Sequence, residues 1–291
     1  MTGMALVVSL AMLTTSCHKD ETNNNGNNNG NTENHSGGGS GDSGSGGSSG
    51  GGSGTPNQEY PSTAVVLPQA VTDIDGNSYD AVQIGSQVWM AENMRTTRYA
   101  DGTTIPMGSI NSGSNPYRYV PGLNHSNEEN MDNLARYGYL YNWPAAMHGA
   151  GSSEANPSGV QGICPDGWHV PSDAEWIQLT DYMKTQPAYM ASGNADYLAK
   201  ALAATLGWSI SFEMDAPGNN PTTNNATGFS TLPAGRYYCG YHNFGEQAYF
   251  WSTTETNPCR AYCCYLYCSS ALVNRGTNDA DNGLSVRCVR D

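Results

Sequence analysis

The chain changes character abruptly near Pro56. Residues 22 to 55 (TNNNGNNNGNTENHSGGGSGDSGSGGSSGGGSGT) have no apolar periodicity and consist mostly of Asn, Gly and Ser. Such a segment cannot bury enough surface to offset the entropy of ordering. Any core must therefore come from the C-terminal side of that boundary, where short apolar runs, Trp and Tyr set in from about Glu59. This predicts one folded domain over 59–291, preceded over 17–58 by a disordered tether. A Gly-rich coil of roughly 35 residues spans about 30 to 35 Å.

Before the tether, Met4 to Leu13 (MALVVSLAML) is apolar but has only signal-segment length, well short of the roughly 20 residues a membrane-spanning helix needs. Thr14-Thr15-Ser16 then leads directly into Cys17, which resembles the lipobox of bacterial lipoproteins. The resemblance implies a signal peptide over 1–16, an acylated Cys17, and contact with the membrane through the lipid anchor only. The alternative is an ordinary cleaved signal with Cys17 as a spare thiol. His18-Lys19-Asp20-Glu21 resembles the sorting signal of surface lipoproteins in the Bacteroidetes, which implies an outer-membrane location facing the cell exterior.

A formal charge of −14, with 12 basic residues and no basic run, argues against nucleic-acid binding, which needs clustered Lys and Arg. Eight cysteines in an exported chain point to disulfides; in a cytosolic chain they would suggest metal or catalysis.

Within the domain, Asp75-Gly76 marks a turn, Tyr79 to Ile84 alternates as a strand, and Gln87 to Met90 is placed to pair with it across Gly85-Ser86. Ser172-Asp173-Ala174-Glu175 has capping-box spacing and opens a helix with Trp176, Leu179, Tyr182 and Met183 on one face. Asp196 to Leu206 (DYLAKALAATL) is rich in helix formers, sets Leu198, Leu202 and Leu206 on one side, and stops at Gly207.

The ordered motifs DIDGNSYDAVQIGSQVWMAENM, YGYLYNW, GICPDGWHVPSDAEW, ATGFSTLPAGRY, YFWSTTE and GLSVRCVRD resemble the Fibrobacter succinogenes major paralogous domain from about Thr72 to Asp291. Such domains are similar to the C-type-lectin-like fold of the formylglycine-generating-enzyme and sulfatase-modifying group. The resemblance implies an α+β fold with two helices, small twisted antiparallel sheets and many loops. It also implies a disulfide between Cys164 and Cys288, because this fold commonly bridges its first helix region to its last strand. Cys239, Cys259, Cys263, Cys264 and Cys268 remain, an odd number.

Calcium-dependent lectins of this fold gather oxygen ligands from Glu-Pro-Asn or Gln-Pro-Asp loops and a Trp-Asn-Asp strand. None of these is present; Trp251-Ser252-Thr253-Thr254-Glu255 keeps only the Trp. Asp73 and Asp75 are read as polar ends of a turn, the His residues are scattered, and neither a metal nor another cofactor is expected.

These readings leave three functions open. The first is a binding module for an extracellular protein or glycan. Between Pro258 and Asn282 the chain lacks Lys, Glu, Gln, Met and Trp but is rich in Tyr, Cys, Ser and Asn. That is the set reached by randomising adenines in Asn codons, the rule of diversity-generating retroelements, whose variable proteins often use this fold. Tyr supplies large amphipathic contact area at low entropic cost, which makes Tyr262, Tyr265, Tyr267, Asn274 and Arg275 the contact candidates; the bland alternative is a plain solvated face. The second is a copper-dependent cysteine oxidase. Arg260 to Cys268 (RAYCCYLYC) resembles the copper segment of formylglycine-generating enzymes, with Cys259 and either Cys263 or Cys264 as soft ligands, but Pro258 occupies the position of the first copper cysteine. The third is a passive structural or adhesive surface protein. The expectation is binding without catalysis.

Overall fold

A computed structural model describes residues 64–122 and 131–291; the signal segment, Cys17, the tether and the boundary at residue 59 lie outside that range. The first sheet starts at a carboxylate-capped turn. Asp73 Oδ1 accepts hydrogen bonds from the amides of Asp75 and Asn77, each at 2.9 Å, while Oδ2 accepts one from the Tyr79 hydroxyl at 2.6 Å. Gly76 has φ +84°, a conformation with little penalty only for glycine. The turn joins β1 (Val65–Thr72) to β2 (Ser78–Ile84), and β2 pairs with β3 (Gln87–Met90) from Ala81↔Met90 to Ile84↔Gln87. The expected hairpin is therefore present. It also gains an edge strand, β1, which is irregular between Leu67 and Val71, where Pro68 cannot donate to a ladder.

The remaining elements, in chain order, are β4 (Arg118–Tyr119), α1 (Met131–Tyr137), β5 (Leu140–Tyr141), α2 (Trp143–Met147), β6 (Trp168–His169), α3 (Asp173–Met183), α4 (Ala199–Leu202), β7 (Arg236–Tyr237), β8 (Tyr241–His242), β9 (Gln247–Asn257), β10 (Arg260–Tyr267), β11 (Asn274–Asp279) and β12 (Val289–Arg290). They form an antiparallel sheet ordered β1-β2-β3-β12-β6, a second ordered β11-β10-β9, and two small ribbons, β4-β5 and β7-β8. The fold is α+β. Among the described residues it has four short α-helices rather than the two expected.

Strands β3 and, over Ala248 to Thr254, β9 are buried on both faces, whereas the edge strands β1 and β11 are largely exposed or half-buried. Tyr79, Ala81, Met90, Trp251 and Cys263 belong to one apolar cluster, while Val82, Ile84, Trp89, Phe250 and Cys264 belong to another that includes Trp176, Leu179 and Met183 of α3. Neighbours along each strand thus enter opposite cores, as the strand period of two requires.

α3 has the expected capping box, with Ser172 accepting from the Glu175 amide and Glu175 reaching back to the Ser172 amide. Tyr182 departs from the expected buried face: it is 36% exposed, and its ring lies across the turn at Gly85. The second expected helix, Asp196 to Leu206, shortens to α4. The carbonyls of Lys200, Ala201 and Leu202 accept from the amides of Asn225, Thr227 and Thr231 at 2.8, 3.1 and 2.7 Å, so they are not available to extend the helix. Leu198 and Leu202 are buried, whereas Leu206 is 47% exposed.

Cys164, just before β6, is joined to Cys288, just before β12, with a Cα–Cα distance of 5.9 Å across a sequence separation of 124. The implied pairing is present.

Next to this bond, His169 of β6 lies between Glu175 Oε1 at 2.7 Å and Asp291 Oδ1 at 2.6 Å. Burial alone would lower the imidazole pKa, but hydrogen bonds and charges from Glu175 and Asp291 outweigh it and hold the pKa above its ordinary value. A folded pKa raised above the unfolded value of about 6.5 gives stabilisation that is complete below that pH and is lost as pH rises through the folded pKa. Calorimetry over a pH series is expected to show the thermal midpoint falling above about pH 6.5, with a flatter profile for His169→Gln. A wild-type midpoint that holds or rises over that range would refute the clamp.

Candidate binding face on the C-terminal sheet

The five contact candidates lie on the sheet formed by β9, β10 and β11, and strand alternation divides them between its two faces. Tyr265 stands opposite Asn274 on β11 and opposite Tyr249 on β9, so these three side chains share one face. Tyr267 is on the same face two residues along. Ring centroids are 5.2 Å apart for Tyr249 and Tyr265, 5.3 Å for Tyr265 and Tyr267, and 6.5 Å for Tyr249 and Tyr267. Tyr265 can lie across β11 because its neighbour there is Gly276; a Cβ at that position would come within 3.2 Å of the ring. Tyr265 and Tyr267 are half-buried, Tyr249 is buried, and its hydroxyl donates to Gln247 Oε1 at 2.7 Å.

The row continues past β9. Gly235 bridges Ala248, which brings β7 alongside, and the Arg236 guanidinium carbon sits 5.6 Å from the Tyr249 ring centroid and 6.0 Å from that of Tyr238. Asn274, Tyr265, Tyr249 and Arg236 therefore form one line of side chains across successive strands. Sequence reasoning missed Tyr249 and Arg236. The available signal was that Tyr249 has the same strand parity as Trp251, and that Arg236 is the penultimate residue of the motif ATGFSTLPAGRY.

The opposite face carries Tyr262 and Arg275. The Arg275 guanidinium carbon is 4.7 Å from the Tyr262 ring centroid, and its nitrogens bond both carboxylate oxygens of Asp173 in the first turn of α3. Arg275 thus braces β11 against a helix. Beside it opens a cleft of about 330 Å³ with Trp176, Leu198 and Cys264 at its base and Lys184, Asp196, Asn274 and Arg275 around it.

The copper reading requires Cys259 with Cys263 or Cys264 as thiolates. Burial pushes the Cys263 thiol up to about 12, and Cys264 is likewise raised by burial. Cys263 and Cys264 also enter different cores, on opposite faces of β10. Cys239 and Cys268 are free, the first exposed and the second half-buried. Among the described residues no three His, Cys, Asp or Glu side chains gather as a metal site. Asp75, one of the turn carboxylates, instead accepts hydrogen bonds from Thr97 and Arg98.

These features define a disulfide-closed α+β domain of small antiparallel sheets with an aromatic face on its C-terminal sheet. The Fibrobacter succinogenes major domain matches residues 82–290, and the chain belongs to that family. No curated protein and no solved structure matches the chain.

Proposed function

We propose that the protein is a lipid-anchored binding module on the outer surface of the cell, holding an extracellular glycan or protein on the tyrosine face of its C-terminal sheet without transforming it. The carrying observation is the line Asn274, Tyr265, Tyr249 and Arg236, which puts amphipathic rings and hydrogen-bonding groups side by side on one rigid sheet. The placement of the Cys263 and Cys264 thiols in different cores, where burial raises the pKa of both, favours this reading over copper chemistry. The acidic charge favours non-nucleic-acid partners.

Retroelement diversification of residues 258–282 is part of the proposal. The composition there fits it, and the strand geometry supports a division in which Tyr265, Tyr267 and Asn274 vary while Ala261 and Leu266, both buried, hold the sheet.

The test probes cells displaying the full chain with arrays of glycans and extracellular proteins. Tyr265→Ser with Tyr267→Ser is expected to abolish captured signals, and Cys17→Ser to move them from cells to medium. In the same culture, codons 258–282 are expected to vary only at adenine-derived positions. Signals indifferent to the tyrosine changes would sink the binding face, cell-bound Cys17→Ser the anchor, and invariant codons the diversification.

A further inference from the structure

We propose that Arg236 is the anchor of a carboxylate-binding subsite, and that the ligand it selects is an acidic sugar whose ring stacks on the adjoining tyrosines. The inference rests on the reading of the tyrosine row as a binding face and names the ligand chemistry that face would take.

Arg236 Nε is sealed from solvent and has no hydrogen-bond partner. Arg118 and Arg260 also bury an unsatisfied Nε, but Arg118 donates through another nitrogen to the Ile105 carbonyl, and Arg260 donates to the Thr277 carbonyl and pairs with Asp279. Among the described residues, Arg236 has neither a hydrogen bond nor an ion pair. Its neighbours are the rings of Tyr249 and Tyr238, which attract a cation through their faces but leave every donor of the fork unused.

Holding a guanidinium half-buried with its Nε sealed and unsatisfied costs stability, and such a cost calls for a function at the open end of the group. Nε itself is sealed from any ligand, so a partner can reach only the two terminal nitrogens, which have no acceptor in the protein; an anion with two acceptor oxygens in a plane matches their paired N–H bonds end-on. Tyr265 and Tyr267 stand next along the row, offering apolar ring faces and hydroxyls. A pyranose with a carboxylate satisfies both features: the acid docks on Arg236 while the C–H face of the ring covers tyrosine. Partial burial strengthens the charge pair relative to one in open water. The chain's net charge of −14 would repel such a ligand elsewhere, so selectivity falls on this one uncompensated cation of the row.

The test titrates the full-length protein with D-glucuronate, D-glucose and inorganic sulfate, following tyrosine and arginine side-chain resonances. Glucuronate is expected to bind at least about tenfold more tightly than glucose, a margin in the range of one charge-assisted contact. Arg236→Gln should erase that preference, and Arg236→Lys, which keeps the charge but loses the fork, should recover only part of it. The thermal midpoint of Arg236→Gln should stay level or rise, since the change removes an unsatisfied buried donor; a structural arginine would lower it. Equal binding of glucuronate by wild type and Arg236→Gln overturns the proposal, as does sulfate binding as tight as glucuronate, which would leave a general anion contact. Absence of glucuronate binding also overturns it, while array signals dependent on Tyr265 would leave the broader binding face intact.

Discussion

Replacing Cys164 and Cys288 together by alanine is expected to lower the urea midpoint by an amount equivalent to about 4 kcal/mol. The bond closes a separation of 124 residues, and in the chain-entropy model a loop near that length restricts the unfolded chain by about 4 to 5 kcal/mol, with somewhat less usually delivered. Both cysteines are fully buried, and the Cys288 carbonyl accepts from the Met90 amide at 3.0 Å, so the cross-link is built into the central sheet. The check is equilibrium unfolding of the double variant beside wild type with and without reductant. Reduced wild type should approach the variant. A loss under about 1 kcal/mol would mean that the unfolded chain is already compact or that the bond strains the sheet.

A loss of similar size, about 3 to 5 kcal/mol, is expected for Arg287→Met, which keeps much of the volume but removes a buried charge from its acceptors. Arg287 is 1% exposed. It donates to Asn93 Oδ1 at 2.9 Å, to the Ser230 carbonyl at 2.9 Å and to the Phe229 carbonyl, and its guanidinium carbon lies 4.4 Å from the Phe229 ring centroid. The side chain thus joins the motifs that contain Asn93, Phe229 and Arg287 itself, which are far apart in sequence. Methionine removes the donor from three carbonyls, those of Met90, Phe229 and Ser230, and from the Asn93 amide oxygen in an apolar setting, and each group left unsatisfied costs about 1 to 3 kcal/mol. Chemical denaturation gives the magnitude, and hydrogen exchange at Asn93 and Ser230 locates it. Intact protection with a loss under about 1 kcal/mol would show that water replaces the guanidinium.

Sequence alone went furthest where the determining interactions are local. The capping box at Ser172 and Glu175 is complete within four positions, and the β2–β3 hairpin follows from alternation on either side of Gly85-Ser86. The Cys164–Cys288 bond came through resemblance of ordered motifs, since no local rule pairs cysteines at that separation. Binding candidates were legible by residue type but not by direction. The burial of β9 runs almost unbroken from Ala248 to Thr254, so the alternation that would assign its faces is hidden. Tyr249 was therefore not among the contact candidates, and Tyr262 was grouped with Tyr265 although they face opposite ways.

What the sequence by itself determined is the core-forming composition of the chain beyond about Glu59, the helix start at Ser172, the opening hairpin and the type of residue available for contact. Those properties depend on composition and on spacings within a turn or two of chain. Tertiary structure decided that α4 stops at Leu202, because loop amides from Asn225 to Thr231 take its carbonyls. It also decided that Arg275 braces a helix while Arg236 is left without an acceptor, because an arginine's partner is chosen by which distant strand or helix packs beside it.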